Sequence, residues 1–413
     1  MPRLSVIVTS YNIEDYIEQC LASVVAQTLV DIEIIVVDDG SSDSTPQIIR
    51  RFAAEDPRIV PVLLKENTVG GVATAANTGL DRATAPYVGF ADGDDVYEPE
   101  MFELLLDAAD HHDADLAMCN YRLLDESTGE HVEPADRSRW SSIDREFYDL
   151  DTETRKRFLK FVAVPWRKIY RRSMLDEHGI RFPVGDYFFE DNPFHWFNVI
   201  SADRIAVVPE VLCTHRVARA GQTMGAVDEK LFKIFEHHTT IRCWLVDRDL
   251  LEIYKSTLLG WFISQLEWIG QRTPTNLRRQ LFDIAADHYS AYDQRTIDQA
   301  LAEGEKGPTA RDFSTAITRR NYAGFNRALD SRSRNANLVV RAAYHLRYSG
   351  VRRTMWLGSR FVVNAVRNRR TFRNQPKSLD LDDVVFGLTV LQSRINQLDR
   401  RLDEIIDALD DRR

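Results

Sequence analysis

Three aspartates lie within four residues at Asp92-Gly93-Asp94-Asp95, directly after a short apolar run that begins at Tyr87. Carboxylates this close repel one another, so the cluster is tolerable mainly when a cation lies among them. Oxygen ligands from a short loop suit Mg²⁺ or Mn²⁺, which fill their remaining coordination positions with substrate phosphates. The cluster therefore predicts a divalent metal site, with a solvated acidic turn as the alternative.

A second acidic pair, Asp38-Asp39, closes another apolar run and leads into Gly40-Ser41-Ser42-Asp43. The small residues predict a turn and a cap for a following helix, which explains part of this pattern. Capping does not require both aspartates. A carboxylate at a strand end can accept the imide N–H of a uracil or thymine ring, so Asp39 is a candidate for base recognition.

A third acidic pair, Glu190-Asp191, stands between two phenylalanines and Asn192-Pro193. Adjacent carboxylates raise each other's pKa towards the range that is useful for proton transfer. The alternative interpretation of the pair is a simple helix N-cap.

The elements that position these residues alternate between β-rich apolar runs and amphipathic segments. The expected strands are Leu4 to Thr9, Ile32 to Val37, Ile59 to Leu64 and Tyr87 to Ala91. The expected helices are Glu14 to Val25, Thr45 to Glu55, Val72 to Ala83 and Glu98 to His111. Alternation of this kind predicts a largely parallel α/β sheet, in which ligands bind beyond the carboxyl ends of the strands.

Four ordered motifs now resemble the family 2 glycosyltransferases of GT-A fold, which are Rossmann-like α/β proteins. They are Val6-Ile7-Val8-Thr9-Ser10-Tyr11-Asn12, Val37-Asp38-Asp39-Gly40-Ser41-Ser42-Asp43, Asp92-Gly93-Asp94-Asp95 and Glu190-Asp191. The likeness covers roughly residues 1–225, which we expect to form the catalytic domain. It is the agreement of all four motifs in order and spacing that makes the resemblance specific.

The resemblance implies a nucleoside-diphosphate sugar as donor, with a UDP-sugar favoured. Thr9, Tyr11 and Asp39 match the residues that hold the base and ribose, with Asp39 on the base imide. Asn67 matches a second nucleotide contact. Asp92 matches the position that touches the ribose and metal-bound water.

Metal and diphosphate contacts are implied in the same way. Asp94 matches the direct ligand of Mn²⁺ or Mg²⁺, and Asp92 its partner in the DxD motif. His215 would be a further ligand, and imidazole suits Mn²⁺ better than Mg²⁺. Arg216 and Arg219 would contact the diphosphate.

On the acceptor side, the resemblance implies that Asp191 is the general base and that Glu190 positions the acceptor. Inversion at the anomeric carbon needs a base opposite the leaving group, because a hydroxyl is a poor nucleophile without one. Trp166 resembles an aromatic residue near the acceptor cleft, with core packing as an equal interpretation. One departure concerns Ala76, where many relatives carry a basic residue, so an arginine downstream would have to supply that charge.

Composition excludes several other classes. The net charge of -10 argues against a nucleic-acid binder, and no apolar stretch reaches the roughly 18 residues of a membrane span. The first apolar run is too short for a signal peptide. Four dispersed cysteines without a CxxC spacing indicate reduced core thiols in a cytoplasmic protein.

Three further stretches follow the catalytic domain. We expect residues 226–330 to form a helical domain in which residues such as Trp261 and Trp268 pack in the core. Residues 331–378 contain many arginines and no Asp or Glu, which suits peripheral contact with an anionic membrane. A solvated linker face, or docking on the acidic body of the protein, explains the same segment.

The last stretch, residues 379–411, carries apolar residues at steps of three and four without a break. This heptad pattern predicts a coiled coil and a homo-oligomer, with the number of strands left open.

The expected function is therefore inverting transfer of a sugar to a hydroxyl of a cell-surface glycan, polymer or lipid-linked acceptor. Two alternatives come from other classes. A nucleotidyltransferase would carry a basic glycine-rich first loop, and Thr9-Ser10-Tyr11-Asn12 is not one. A catalytically inactive scaffold acting through its coiled coil would normally lack one of the carboxylates, and all are present.

Overall fold

The strands of the protein form one mixed sheet. The computed structural model describes residues 1–185, 188–219, 229–304 and 307–332. In chain order the strands are β1 (Leu4–Ser10), β2 (Ile32–Asp38), β3 (Ile59–Leu63), β4 (Tyr87–Asp92), β5 (Val96–Tyr97), β6 (Leu116–Asp125), β7 (Glu130–Val132), β8 (Phe147–Asp149), β9 (Lys168–Arg171) and β10 (Arg204–Val217). Their spatial order is β3-β2-β1-β4-β9-β6-β10-β5, with β7 on β6 and β8 on β10.

Helices fill the connections of the sheet and the region that follows it. Those of the first part are α1 (Ile17–Val25), α2 (Thr45–Glu55), α3 (Gly71–Leu80), α4 (Met101–His111), α5 (Arg137–Trp140), α6 (Thr152–Phe158), α7 (Arg172–Glu177) and α8 (Asp191–Ser201). Those of the second part are α9 (Ile234–Val246), α10 (Leu251–Gly270), α11 (Arg278–Tyr289), α12 (Gln294–Glu303), α13 (Pro308–Thr318) and α14 (Tyr322–Arg332). Short 3₁₀ turns precede α9 and α11.

The parallel sheet expected from the sequence is confirmed only for its first half. β1 pairs in parallel with β2 and β4, and β2 pairs in parallel with β3. Beyond β4 the sheet becomes mixed, because β9 lies antiparallel between β4 and β6. The local sequence of a strand such as β9 does not indicate whether the strand runs parallel or antiparallel to its neighbours in the sheet.

Two hydrophobic cores cover the two faces of the sheet. Side chains alternate between faces along a strand, so Ile7 packs in one core and Val6 and Val8 pack in the other. Since all of β1 is buried, its apolar run reads as continuous, as is typical of a central strand.

Helix α1 begins three residues later than the sequence pattern suggests. The Glu14 carboxylate accepts the backbone N–H of Ser44, and the Glu14 N–H donates to the Asp43 carboxylate. Asn12, in a left-handed conformation (φ 48°), makes a reciprocal pair of bonds with the same loop. The residues before α1 therefore tie two strand-end loops together instead of starting a helix.

The helices after the sheet have a core of their own and also cover the sheet. Phe235, Phe262 and Leu266 lie in this third core, whereas Leu245 and Leu258 complete the core on one face of the sheet. The packing role predicted for these residues is confirmed. Trp261 and Trp268 also pack against this core, but they are only partly buried, and they line the cleft described below as well.

All four cysteines are free thiols, but Cys243 is exposed, contrary to the expectation that all four lie in the core. No helix among the described residues is long and apolar enough to cross a membrane. The basic stretch, from residue 333 onwards, and the whole heptad stretch, 379–411, lie outside the described residues. The membrane contact and the coiled coil stay predictions.

Candidate active site

The carboxyl ends of β1, β2 and β4 bring the first three motifs together. Register pairs Ser10 with Asp38 and Thr9 with Asp92. Just beyond the strands, the N–H groups of Asp39 and Gly93 donate to the carbonyls of Ser10 and Thr9, both at 2.9 Å. The sheet therefore fixes the separation of the acidic motifs through backbone bonds.

These strand ends open into a single large cleft with a volume of about 1690 Å³. Most of the predicted site residues line it, namely Thr9, Tyr11, Asp39, Asn67, Asp92, Asp94, Glu190, Asp191, His215 and Arg219. Trp166 lines it as well. The fold thus gathers residues from the first and the last strands of the sheet around one space.

At the nucleotide end of the cleft, Asp38 and Asp39 have different environments. The Asp38 carboxylate accepts the N–H and hydroxyl of Ser41, so it shapes the turn. The Asp39 carboxylate faces the cleft and accepts from the Asn67 amide at 3.0 Å and the Thr68 hydroxyl at 2.8 Å. Burial raises the pKa of Asp39, while these bonds to Thr68 oppose the shift.

Gly40, between this pair and the serines, must be a glycine. Its φ is +73°, and a Cβ there would lie 2.3 Å from the backbone carbonyl carbon of Glu66. The loop that carries Asn67 therefore packs directly on the turn after β2.

Three side chains near the strand ends could hold a metal ion together. Asp92, Asp95 and His215 each offer a ligand atom, and these atoms lie within 4.8 Å of one another. His215 Nδ1 lies 2.7 Å from the Asp95 carboxylate. Two carboxylates and one imidazole suit a divalent cation such as Mn²⁺.

The electrostatics of this cluster agree with a cation site. Burial and then the charges of Asp95 and Asp94 raise the pKa of Asp92 well above its usual value. Burial opposes protonation of His215, but Asp95, Asp92 and Asp94 together raise the pKa of this imidazole to about 9. Positive charge among the carboxylates is therefore strongly favoured.

The residues predicted to bind the metal and the diphosphate have different partners in the structure. Asp94 forms an ion pair with Arg219, whereas Asp95, which the sequence analysis did not name as a ligand, lies beside His215. The role of Asp94 as a direct metal ligand stays a prediction. The guanidinium of Arg216 contacts Glu126 and Gln19, and its backbone N–H donates to Asp95. Arg219 thus lines the cleft, and the backbone of Arg216 holds the Asp95 carboxylate.

The Glu190-Asp191 pair opens helix α8 on the side of the cleft. Glu190 occupies the N-cap position but makes no side-chain capping bond, so capping does not explain the carboxylate. Phe189, just before it, has a left-handed backbone with φ of 70°. A bulky residue in that conformation indicates a loop whose shape is imposed by its surroundings.

The helical region supplies those surroundings. Trp261 of α10 donates its indole N–H to the side-chain carbonyl of Asn192 at 3.1 Å, and the Asn192 amide donates to Asp191 at 2.9 Å. His237 of α9 lies 2.6 Å from the carbonyl of Phe188. Two helices beyond the sheet therefore hold the loop that carries Asp191.

The two carboxyls of the pair have different acidities. Burial raises the pKa of Asp191 to about 6, with Lys168 and bonds to Asn192 opposing it. Burial and the neighbouring charge of Asp191 raise the pKa of Glu190 to about 8, against the bond from its own backbone N–H. At neutral pH Asp191 is therefore the ionised member of the pair and Glu190 the protonated one.

Behind this pair lies a buried network that the sequence analysis missed. The side-chain amino group of Lys168, with no exposed surface, donates to the Ala163 carbonyl at 3.1 Å and lies 3.3 Å from His195 Nδ1. His195 Nε2 lies 3.2 Å from the Phe158 carbonyl, which makes Nε2 the protonated nitrogen. The network links α8 to α6 and to the loop before β9.

Trp166 lies on this loop and stacks on His215, with ring centroids 4.9 Å apart. It is almost fully buried, so the packing and the cleft-lining interpretations both hold for it. The stacking holds the plane of the His215 ring.

Comparison with known proteins identifies the family of the chain. The family model described as glycosyl transferase family 2 matches residues 5–179. The chain belongs to this family.

Among known sequences and structures, three relatives illustrate the likeness. The uncharacterized glycosyltransferase EpsJ of Bacillus subtilis (strain 168) is 34% identical over 241 residues, which are 57% of this chain and 68% of that protein. The putative glycosyltransferase EpsH of the same strain is 32% identical over 263 residues, 62% of this chain and 73% of that protein. Residues 1–349 of TarS from S. aureus, solved with UDP-GlcNAc, superpose with a TM-score of 0.65 at 22% identity, over 80% of this chain and 91% of that one. The fold is thus the GT-A fold, extended by helices.

Proposed function

We propose that the protein transfers a sugar, with inversion, from a nucleoside-diphosphate sugar to a hydroxyl group of a cell-surface glycan, polymer or lipid-linked acceptor. The observation that carries the proposal is that a possible cation site and an ionised aspartate lie at the same cleft. The Asp92, Asp95 and His215 cluster lies at the strand ends, and the ionised Asp191 lies on the helix facing them.

In this proposal the nucleotide occupies the end of the cleft formed by Thr9, Tyr11, Asp39 and Asn67. The Asp39 carboxylate exchanges its internal bonds for the imide N–H of a uracil ring, which favours a UDP-sugar. The UDP-GlcNAc in the similarly folded TarS structure supports the same class of donor.

Asp191 accepts the proton of the acceptor hydroxyl as the oxygen attacks the anomeric carbon from the face opposite the leaving group. Its pKa of about 6 keeps it ionised at neutral pH and still basic enough to take a proton. Glu190, whose pKa is about 8, is protonated at that pH and donates a hydrogen bond that orients the acceptor.

The residues that would hold a divalent cation are Asp92, Asp95 and His215, with Asp94 close to them. A bound cation there supplies neutralisation of the charge that develops on the departing diphosphate. Arg219 adds a cationic group at the same place once the diphosphate competes with Asp94 for it.

The metal site is tested by Asp95→Asn, which keeps the size of the side chain and removes its charge. We expect Mn²⁺ affinity, measured by calorimetry, to fall by about 10- to 100-fold, because the ligand set loses a carboxylate and His215 its anionic partner. Release of nucleoside diphosphate from a UDP-sugar should fall in parallel, and EDTA should abolish it in the unaltered protein.

Asp31→Asn is the matched control, since Asp31 is exposed before β2 and away from the cleft. Equal Mn²⁺ affinity in both variants would remove Asp95 from the metal site. Metal-independent donor hydrolysis would remove the metal from the reaction.

A further inference from the structure

The cleft continues past Asp191 to an end that the donor and metal residues do not occupy. Cationic side chains line this part, and we call it the basic end of the cleft: Arg139 of α5, Lys156 and Arg157 of α6, and Lys160 just after α6. Ser256 and Gly260 of α10 and Glu303 of α12 face them. The sheet forms one part of the cleft and the helical region forms the other.

Local anions do not cancel this charge. Glu153 is paired with Lys156 at 2.9 Å, and Glu303 accepts from the Ser256 hydroxyl at 2.8 Å. The third carboxylate here, Asp136, belongs to an ion pair with the fully buried Arg167. The Asp144 carboxylate also interacts electrostatically with Arg157. Three carboxylates therefore lie near the four cations, and a net positive charge remains on this concave surface, where the potential is focused.

The basic end lies close to the reaction centre. His195 follows Asp191 by four residues on α8, a rise of about 6 Å. Its Nε2 lies 3.2 Å from the carbonyl of Phe158, which stands between Arg157 and Lys160 in the chain. Arg157 and Lys160, the cations next to Phe158 in the chain, are therefore on the order of 10–15 Å from Asp191.

This cationic surface is separate from the diphosphate of the donor. In the proposed function that group lies beside Asp92 and His215, where Arg219 pairs with Asp94, and none of these residues belongs to the basic end. Two indoles also line the cleft, Trp261 next to Asn192 and Trp268 on the same helix. Flat apolar rings beside a cationic surface suit a ligand that carries both carbohydrate and negative charge.

We propose that the basic end of the cleft binds a phosphate group of the acceptor, so that the substrate class is a phosphate-bearing glycan or polyol. The inference rests on the proposed transferase function and deepens it. A phosphate held on Arg139 and Lys160 places the neighbouring hydroxyl-bearing unit along the indoles towards Asp191. Guanidinium and ammonium groups together give the bond donors that phosphate oxygens accept.

The test compares binding of three probes to the full chain with UDP and Mn²⁺ present, followed by tryptophan fluorescence. The probes are a poly(glycerol phosphate) oligomer, a short-chain prenyl-diphosphate glycan and a neutral dextran oligosaccharide. We expect at least one phosphate-bearing probe to bind and the dextran to bind at least tenfold more weakly. Which of the two binds identifies the source of the phosphate.

The double variant Arg139→Gln, Lys160→Gln should raise the Kd of the bound probe by about tenfold. A matched double variant, Arg50→Gln, Arg137→Gln, removes the same charge from exposed positions that do not line the cleft, and should change it by less than about twofold. Arg139→Glu alone repeats the test at an exposed position and leaves the bond from Lys160 to the Glu303 carbonyl intact.

Equal losses in the two double variants, or equal binding of dextran and the phosphate probes, overturn the proposal. Hydrolysis of the UDP-sugar is measured in the same samples. If it is normal while the phosphate probes fail to bind, the acceptor inference is wrong and the proposed function stands. If the unaltered protein does not hydrolyse the UDP-sugar at all, the proposed function itself is contradicted.

Discussion

Replacing the candidate base, Asp191→Asn, should lower the catalytic rate and raise the stability of the folded protein. The change keeps the shape of the side chain and removes both its charge and its basicity. A general base contributes about 10²- to 10⁴-fold to a rate, so we expect kcat to fall by about 10³-fold while donor affinity stays within a few-fold.

The stability effect follows from the burial of the carboxylate. The pKa of Asp191 is about 6 in the folded protein and 3.8 for an ordinary aspartate, a difference worth roughly 3 kcal/mol. Ionised Asp191 therefore costs the folded state up to about 3 kcal/mol. The asparagine variant avoids this cost and should melt a few degrees higher near pH 7.5.

The sign of the pH dependence is fixed by the raised pKa. Between about pH 4 and pH 6 the unfolded chain has released the proton that the folded chain still holds, so the unaltered protein loses stability as the pH rises through this window. The advantage of the asparagine variant should be full above pH 6 and should shrink as the pH falls towards 4. In the unaltered enzyme, kcat/KM should rise with pH through about 6.

Three measurements decide the matter: single-turnover transfer, donor affinity, and thermal unfolding at pH 5 and pH 7.5. Asp31→Asn, at an exposed site, controls for the loss of one negative charge and should leave all three unchanged. Transfer near the normal rate would show that Asp191 is not the base. A variant that is less stable at pH 7.5 would show that the carboxylate is stabilised in the fold and not strained by burial.

Two further substitutions probe the frame of the site. Gly93→Ala would place a Cβ 2.7 Å from a backbone carbonyl of β1. We therefore expect the free energy of unfolding, measured in urea, to fall by about 1–3 kcal/mol and Mn²⁺ to bind more weakly. An unchanged urea midpoint would contradict the close packing of the loop. Trp261→Phe keeps an aromatic ring but removes the indole N–H that holds Asn192. We expect kcat to fall several-fold with little change in the KM for the donor. An unchanged kcat would mean that α10 does not position the loop that carries Asp191.

The metal cluster shows where sequence reasoning reached its limit. The DxD motif predicted a metal site, but its spacing does not tell which of Asp94 and Asp95 turns towards His215, about 120 residues further along the chain. In the structure Asp95 contacts this imidazole and Asp94 pairs with Arg219. A clue was present in the sequence, since Asp95 directly follows the motif and three carboxylates already required a cation.

The loop that carries Glu190 and Asp191 also depends on contacts that the sequence analysis did not predict. Glu190-Asp191 was identified from its motif, whereas Lys168 and Trp261 carried no signal of their own. A lone lysine in a strand and a tryptophan at helical spacing read as ordinary core positions. They act on Asp191 only because β9 enters the sheet antiparallel and α10 packs over the start of α8.

The sequence by itself determined the strands β1 to β4, the acidic residues at their ends and the family, because apolar runs followed by turns are local patterns that the backbone obeys directly. Tertiary structure alone decided the direction of β9, the pairing of Asp95 with His215, the different acidities of Glu190 and Asp191 and the cationic end of the cleft. Each of these depends on burial or on contact between residues far apart in the chain. Such contacts arise from the packing of whole elements and leave no trace in short-range spacing.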